Sequence, residues 1–210
     1  MSRKPNAVAT PTLPARERLL AAALHLVRTE GMHGLSQGRA ASLAGLRQSH
    51  LTYYFPTRKD LIKALVHAIH LEMVETMSAP QGGDSVLSVA EVRKFFSTRI
   101  RDPLLARLMM ALMAAADEDP ELGGWLSDFR NEVLSHLRKI LKRLGLRPSE
   151  NELNLFHASI IGLAIIGAQP GSQSASDHAV RIVGLAFDRL VQAARPLTRR
   201  TVRHSSRTRS

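Results

Sequence analysis

The chain has 210 residues, of which 44% are hydrophobic and 22% charged, with no cysteine and a net charge of +11. That length can bury a sizeable core, and that composition excludes global disorder. Without cysteine there are no disulfides, thiolate nucleophiles or cysteine-ligated zinc and iron–sulfur centres, which suits a reducing compartment. The charge is uneven: residues 1–62 hold 9 Lys/Arg against 3 Asp/Glu, residues 63–195 hold 15 against 15, and residues 196–210 hold 5 against none. A basic N-terminal block on a neutral body points to a polyanionic partner.

Residues 1–14, with three prolines and scattered Ser/Thr, read as a flexible arm without the apolar core of a signal peptide. The longest apolar run, "LFHASIIGLAIIGA" (155–168), contains a histidine and falls short of the roughly 20 residues that a membrane span needs, so a soluble cytoplasmic protein is expected. Apolar and polar residues nowhere alternate for long enough to propose a strand. The expected fold is all-α, with about nine helices.

The first helix should start near Pro14, with Leu19, Leu20, Ala23, Leu26 and Val27 on one stripe, and stop at Gly31 and Gly34. Ser36 can cap a short second helix whose Ala40, Ala41 and Ala44 permit close helix crossing. Gly45 then stands where a left-handed turn residue is wanted. A third short helix covers about 48–54 and ends at Pro56. On this helix Leu51, Tyr54 and Phe55 group on one arc, expected to pack inward, while Ser49, Thr52 and Tyr53 face out with Gln48 and His50 on the flanks. Thr57 to Asp60 has the form of a capping box that opens a long fourth helix, with Ile62, Leu65, Val66, Ile69 and Met73 on one face. The loop "SAPQGGDS" (78–85) is a plausible hinge. Further helix starts are marked by Ser88 with Glu91, Asp102-Pro103, Asp119-Pro120, and Ser149 with Glu152; "PGSQSAS" (170–176) separates the last two helices.

A second helix, a glycine turn and a third helix with a polar outer face form a helix-turn-helix, whose last helix would lie in a DNA major groove. The residue types suit that task. Gln48 can make a bidentate contact to adenine, Arg47 can reach guanine or phosphate, and Ser49, His50 and Thr52 can meet base edges or backbone oxygens. The Tyr53 hydroxyl can bond a phosphate. Ser36 and Gln37, and Thr57 and Arg58, mark helix starts that offer backbone N–H groups to phosphates, with Arg39, Arg58 and Lys59 adding charge.

Residues 16–61, "RERLLAAALHLVRTEGMHGLSQGRAASLAGLRQSHLTYYFPTRKDL", resemble the DNA-binding domain of the tetracycline-repressor (TetR) family. The resemblance rests on the "A-G-L" turn, "L-x-Y-Y-F" and "F-P-T-R-K-D-L" at the family's spacing. Three positions depart from its pattern: Thr52 replaces a usual tyrosine, Ala40 a larger aliphatic residue and Arg58 a lysine. The resemblance implies a DNA-binding domain over 15–61 and a ligand-binding and dimerisation domain over 62–195; residues 196–210, "PLTRRTVRHSSRTRS", read by composition as a disordered basic tail. The resemblance also implies a homodimer on a palindromic double-stranded DNA operator, with dimerisation through the last two helices. The residues expected in that interface are His157, Ile160, Ile161, Ala164, Ile165, Ile182, Leu185, Ala186 and Arg189.

Phe95, Phe96, Leu105, Met109, Met110, Met113, Trp125, Phe129 and Phe156 are candidates to line a pocket for a small hydrophobic or amphipathic ligand, or to be ordinary core. His67 and His70 lie one turn apart, but no acidic or histidine partner stands at a convincing spacing, so no metal site is expected and a solvated helix face is the reading. Asp117-Glu118-Asp119 reads as a helix end and the next cap, and His136 and His157 as interior or interface polar groups. No nucleophile–base pair, metal set or phosphate loop suggests an enzyme, and no cofactor is expected. The leading expectation is a repressor released from its operator by a small apolar ligand; the alternative is a DNA-binding protein of the same fold that senses no small molecule.

Overall fold

A computed structural model describes residues 13–78, 87–117, 119–169 and 171–196. The expected arm over 1–12, most of the "SAPQGGDS" loop, Glu118, Pro170 and the tail over 197–210 lie outside the described residues.

Nine helices are described: α1 (Ala15–Glu30), α2 (Gln37–Leu43), α3 (Gln48–Tyr54), α4 (Arg58–Ser78), α5 (Val89–Arg99), α6 (Leu104–Ala116), α7 (Pro120–Arg143), α8 (Glu150–Gly167) and α9 (Gln173–Ala193). Their starts are fixed by side chains that take up backbone N–H groups left without helical partners. Ser88 and Ser149 each close a reciprocal capping box, with Glu91 and Glu152, and Asp119 accepts from the N–H groups of Glu121 and Leu122. Ser172 caps α9 by accepting from Ala175, so the last connection is shorter than the polar composition of 170–176 suggests: Gln173 to Ser176 already form the first turn of α9.

One feature departs from a purely helical expectation. Leu146–Arg147 (β1) pairs antiparallel with Arg195–Pro196 (β2). Two residues per strand are too few to leave a periodic signal, and the paired residues lie 50 and 48 positions apart in sequence.

The buried side chains form two clusters. The first joins α1, α2 and α3 to α4, α6 and the start of α7: Leu19, Leu26, Leu51 and Phe55 share it with Leu61, Leu65, Ile69, Leu108 and Leu122. The second joins α5, the end of α7, α8 and α9 around Phe96, Phe156 and Phe187, whose ring centroids lie 5.2–5.8 Å apart. The Arg93 guanidinium lies over Gly184, 2.7 Å from where a Cβ would stand. Arg93 thereby crosses from α5 to α9 and donates from Nε to Asp188 at 2.9 Å.

Phe187 is fully buried at the centre of the second cluster. Phe187→Ala is expected to cost about 3–5 kcal/mol, read by urea denaturation at fixed chain concentration.

Candidate nucleic-acid interface

The α2–α3 turn is built by its backbone. Gly45 takes φ +67°, the left-handed region that glycine occupies without strain. The N–H of Leu46 donates to the Ala41 carbonyl at 2.9 Å and that of Gly45 to Ser42 at 3.1 Å, the paired bonds of a Schellman motif. Arg18 of α1 donates to the Ala44 carbonyl at 2.6 Å, tying the turn to the first helix.

From this turn α3 projects with two faces. Leu51 and Phe55 are buried, whereas Arg47, Gln48, Ser49, His50, Thr52 and Tyr53 are exposed, Tyr53 at 81%. Tyr54 was expected inside with Leu51 and Phe55, yet it is 39% exposed. At 100° per residue Tyr54 lies farther from Leu51 than Phe55 does, at the edge of the buried arc. Phe55 is the C-cap, with φ −136° and ψ 83°, and its ring is buried under the Arg16 guanidinium at 5.6 Å. Tyr54 meets Tyr53 edge-on at 5.1 Å and lines an open cleft with Arg16, Lys63 and Trp125.

Several residues expected at the interface also have partners within the protein. Ser36 accepts from the N–H of Arg39 and so caps α2. Gln37 donates from Nε2 to the carbonyls of Phe55 and Pro56, at 2.9 and 3.3 Å, and holds the end of α3 onto α2. Arg39 forks onto both carboxylate oxygens of Glu30 at 2.7 and 2.6 Å; that hydrogen bond, with the charge of Arg39, holds the Glu30 carboxyl below its ordinary range. Arg58 donates to the Met32 carbonyl at 2.8 Å. Thr57 and Asp60 exchange the reciprocal bonds of a capping box at 3.0 and 3.1 Å. Lys59 pairs with Asp119, the cap of α7, and the bond lowers the Asp119 pKa. Thr52 donates its hydroxyl to the Gln48 carbonyl of its own helix at 2.8 Å. The side chains left facing outward belong to α3 itself.

The expected pocket residues do not converge. Trp125 stacks on Phe129 in the first cluster at 5.2 Å, while Phe95, Phe96 and Phe156 belong to the second. Met110 and Met113 are 38% and 52% exposed, and Met109 is half-buried against the first cluster. An interior cavity of about 50 Å³ lies between α4, α5, α6, α8 and α9; Phe96 and Leu105 line it among the pocket candidates. It is also lined by Ile160 and Ala164, expected in the dimer interface. His157, Ile161, Ile182 and Ala186 are half-buried, and burial with the charge of Arg130 lowers the His157 pKa. Ile165, Leu185 and Arg189 are exposed.

Sequence reasoning missed the outward stripe of α8. Leu155 and Ile166, at 55% and 42% exposed, stand with Ile165 around the exposed Gly162. The spacing 155, 158, 159, 162, 165, 166 is a helical stripe, but α8 is apolar on both sides and the inner stripe hides the outer. It also missed Glu132 and His136 of α7, which reach His67 and His70 of α4 and overturn the solvated reading of His70: that ring is 7% exposed.

The fold has solved counterparts. A TetR transcription regulator from Haloarcula marismortui superposes with a TM-score of 0.63 at 14% identity, over 85% of this chain and 98% of that one. A transcriptional regulator from Rhodococcus sp. Rha1 gives 0.61 at 19%, over 86% and 98%. The fold is that of the TetR-family regulators. A chain from Saccharomonospora viridis, described as a regulator and solved in complex with choline, gives 0.61 at 16%, over 83% and 95%. No family model matches the sequence, and no curated protein matches it. Among the described residues no helix is long and apolar enough to cross a membrane.

Gln37 clamps two carbonyls that have no helical partner. Gln37→Ala is expected to destabilise the protein by about 1 kcal/mol, read as a lower midpoint in urea.

Proposed function

We propose that the chain is a sequence-specific DNA-binding transcriptional regulator that acts as a homodimeric repressor. The observation that carries this reading is α3: seven residues held by Leu51 and Phe55, with Gln48, Ser49, His50, Thr52 and Tyr53 all turned to solvent beside Arg47. An α-helix presented in this way fits the major groove, where its first residues meet base edges. Gln48 reads adenine and Arg47 reads guanine or phosphate, while Tyr53 supplies the phosphate contact that Thr52 cannot. Thr52 contributes its methyl group to a thymine. Ser36 and Thr57 stand at helix starts that face the DNA backbone, and Arg39, Arg58 and Lys59 add positive potential from their tethered positions.

Two-fold recognition needs two heads at about 34–36 Å spacing. The exposed apolar stripe of α8, with Leu185 and Arg189 of α9, supports pairing of these two helices with those of a second copy in a four-helix interface.

Release by a small apolar ligand is the finer part of the proposal. Ligand pockets usually measure about 300–1,000 Å³, so the 50 Å³ cavity between α4, α5, α6, α8 and α9 has to widen before it holds one. The small volume of that cavity favours the second reading, a regulator of this fold that senses no small molecule. The choline-bound relative in fold favours the first.

Selection of bound DNA from a random pool supplies the operator, on which the variants are compared by gel shift. Gln48→Ala and Tyr53→Ala are expected to lose operator binding while remaining folded dimers; undiminished affinity in both removes α3 as the reading element. For the interface, Leu185→Glu with Ile166→Glu is expected to give a folded monomer by light scattering, and an unchanged dimer refutes the α8–α9 assignment.

A further inference from the structure

Four metal-ligating side chains that the DNA-reading face does not use meet between α4 and α7. His67 and His70 stand one turn apart on α4, and Glu132 and His136 one turn apart on α7. His70 Nε2 lies 2.9 Å from His136 Nδ1. Glu132 Oε1 lies 4.0 Å from that same nitrogen and 3.4 Å from His67 Nε2. The donor atoms of His70, Glu132 and His136 all fall within 4.8 Å of one another.

A hydrogen-bonded pair of imidazoles accounts for the shortest of these contacts. It does not account for the Glu132 carboxylate beside that pair, or for a third imidazole, His67, that reaches the same carboxylate. Around a tetrahedral ion with bonds of about 2.0–2.1 Å, donors stand roughly 3.3–3.4 Å apart. The three contacts, at 2.9, 3.4 and 4.0 Å, bracket that value; His67 stands outside the closer group of His70, Glu132 and His136 and joins the shell by rotating about its own side-chain bonds. We propose that His67, His70, Glu132 and His136 form a binding site for one divalent cation of the zinc type, clamping α4 to α7.

The donor chemistry selects the class of ion. Three imidazoles and one carboxylate suit zinc, cobalt or nickel, whereas magnesium and calcium prefer all-oxygen shells. Burial against the edge of the Phe129 ring, 5.4 Å away, with the neighbouring His136, pushes the His70 pKa down to about 4. Glu132 supplies the negative charge that a dication needs in a half-buried position.

The site has a mechanical consequence. α4 carries the reading head, and its first turn is already tied to the cap of α7 through Lys59 and Asp119. A cation would fix the same two helices at a second point, about two to three turns further along. An effect on operator affinity rests on the function proposed above, but metal binding itself does not, so binding is what the experiment reads.

The full-length protein, stripped with a chelator and dialysed, is titrated with zinc sulfate by calorimetry at neutral pH and separately with cobalt(II) under a visible spectrometer. One ion per chain and the intense visible bands of four-coordinate cobalt are expected. His67→Ala and Glu132→Gln alter partly exposed side chains and should remain folded by circular dichroism. Each is expected to weaken zinc binding by about a hundredfold or more and to abolish the cobalt bands. His178→Ala, a surface change on α9, should alter neither. Absence of a zinc isotherm in the unmodified protein, or an isotherm that both His67→Ala and Glu132→Gln leave unchanged, overturns the site. Loss of this site would leave the operator selection untouched, and failure of the operator selection would leave this titration untouched.

Discussion

Everything that this chain does with α3 depends on the burial of α4. Leu61, Ile62, Leu65, Val66 and Ile69 form one stripe of a helix that spans Arg58–Ser78, and that stripe faces two partners at once. Its first turns pack with Leu51 of α3 and with Phe55; the same cluster continues into Leu104, Leu108 and Leu112 of α6 and Leu122 of α7. The head is thus not a bead on a linker. The expected division at residues 61 and 62 runs through a continuous apolar core, and a tilt of α4 carries α3 with it. Closely packed interiors shift between discrete arrangements instead of deforming smoothly, which is what a switching element needs.

The second constraint runs along α4 and α7 in parallel register. Lys59 pairs with Asp119, Lys63 stands over the Trp125 ring at 6.0 Å, His67 reaches Glu132, His70 reaches His136, and Arg143 donates to the Met77 carbonyl at 3.2 Å. Polar and cationic contacts thus follow each other from the head to the far end of the helix. The Lys59–Asp119 pair is half-buried, and the Lys59 side keeps it open to screening by salt. In the His–Glu cluster His70 is buried and Glu132 and His136 are half-buried, where α7 passes from the first apolar cluster into the second.

Local chemistry was legible in the sequence, and long-range partnership was not. The caps at Ser36, Ser88, Asp119 and Ser149 are visible because a capping residue and its partner lie within three positions. Gly45 is visible because few other residues fit its backbone. The inward position of Leu51 follows from helical phase. Tyr54 failed the same test because it lies at the edge of the buried arc, farther from Leu51 than Phe55 does. The tethering of Arg39, Arg58 and Lys59 was hidden, since a cation in a basic segment reads alike whether it meets phosphate, Glu30, a carbonyl or Asp119. The histidine cluster was hidden for a related reason: its two halves are one-turn pairs some 60 residues apart, and only the parallel register of α4 and α7 brings them together. The Thr52 hydroxyl donates to the Gln48 carbonyl of its own helix, a local bond within one turn, and Tyr53 is the more exposed of the two tyrosines of α3.

The most direct test of this account is native-state hydrogen exchange, which measures the free energy of opening segment by segment. If α4 joins head and body into one core, the amides of Leu51 to Phe55 in and after α3 and those of Leu108 to Leu112 in α6 open together, with a common free energy and a common denaturant slope. If the amides of α3 exchange through a separate opening of much lower free energy while α6 stays protected, the head folds on its own terms and the shared core does not couple it to the body.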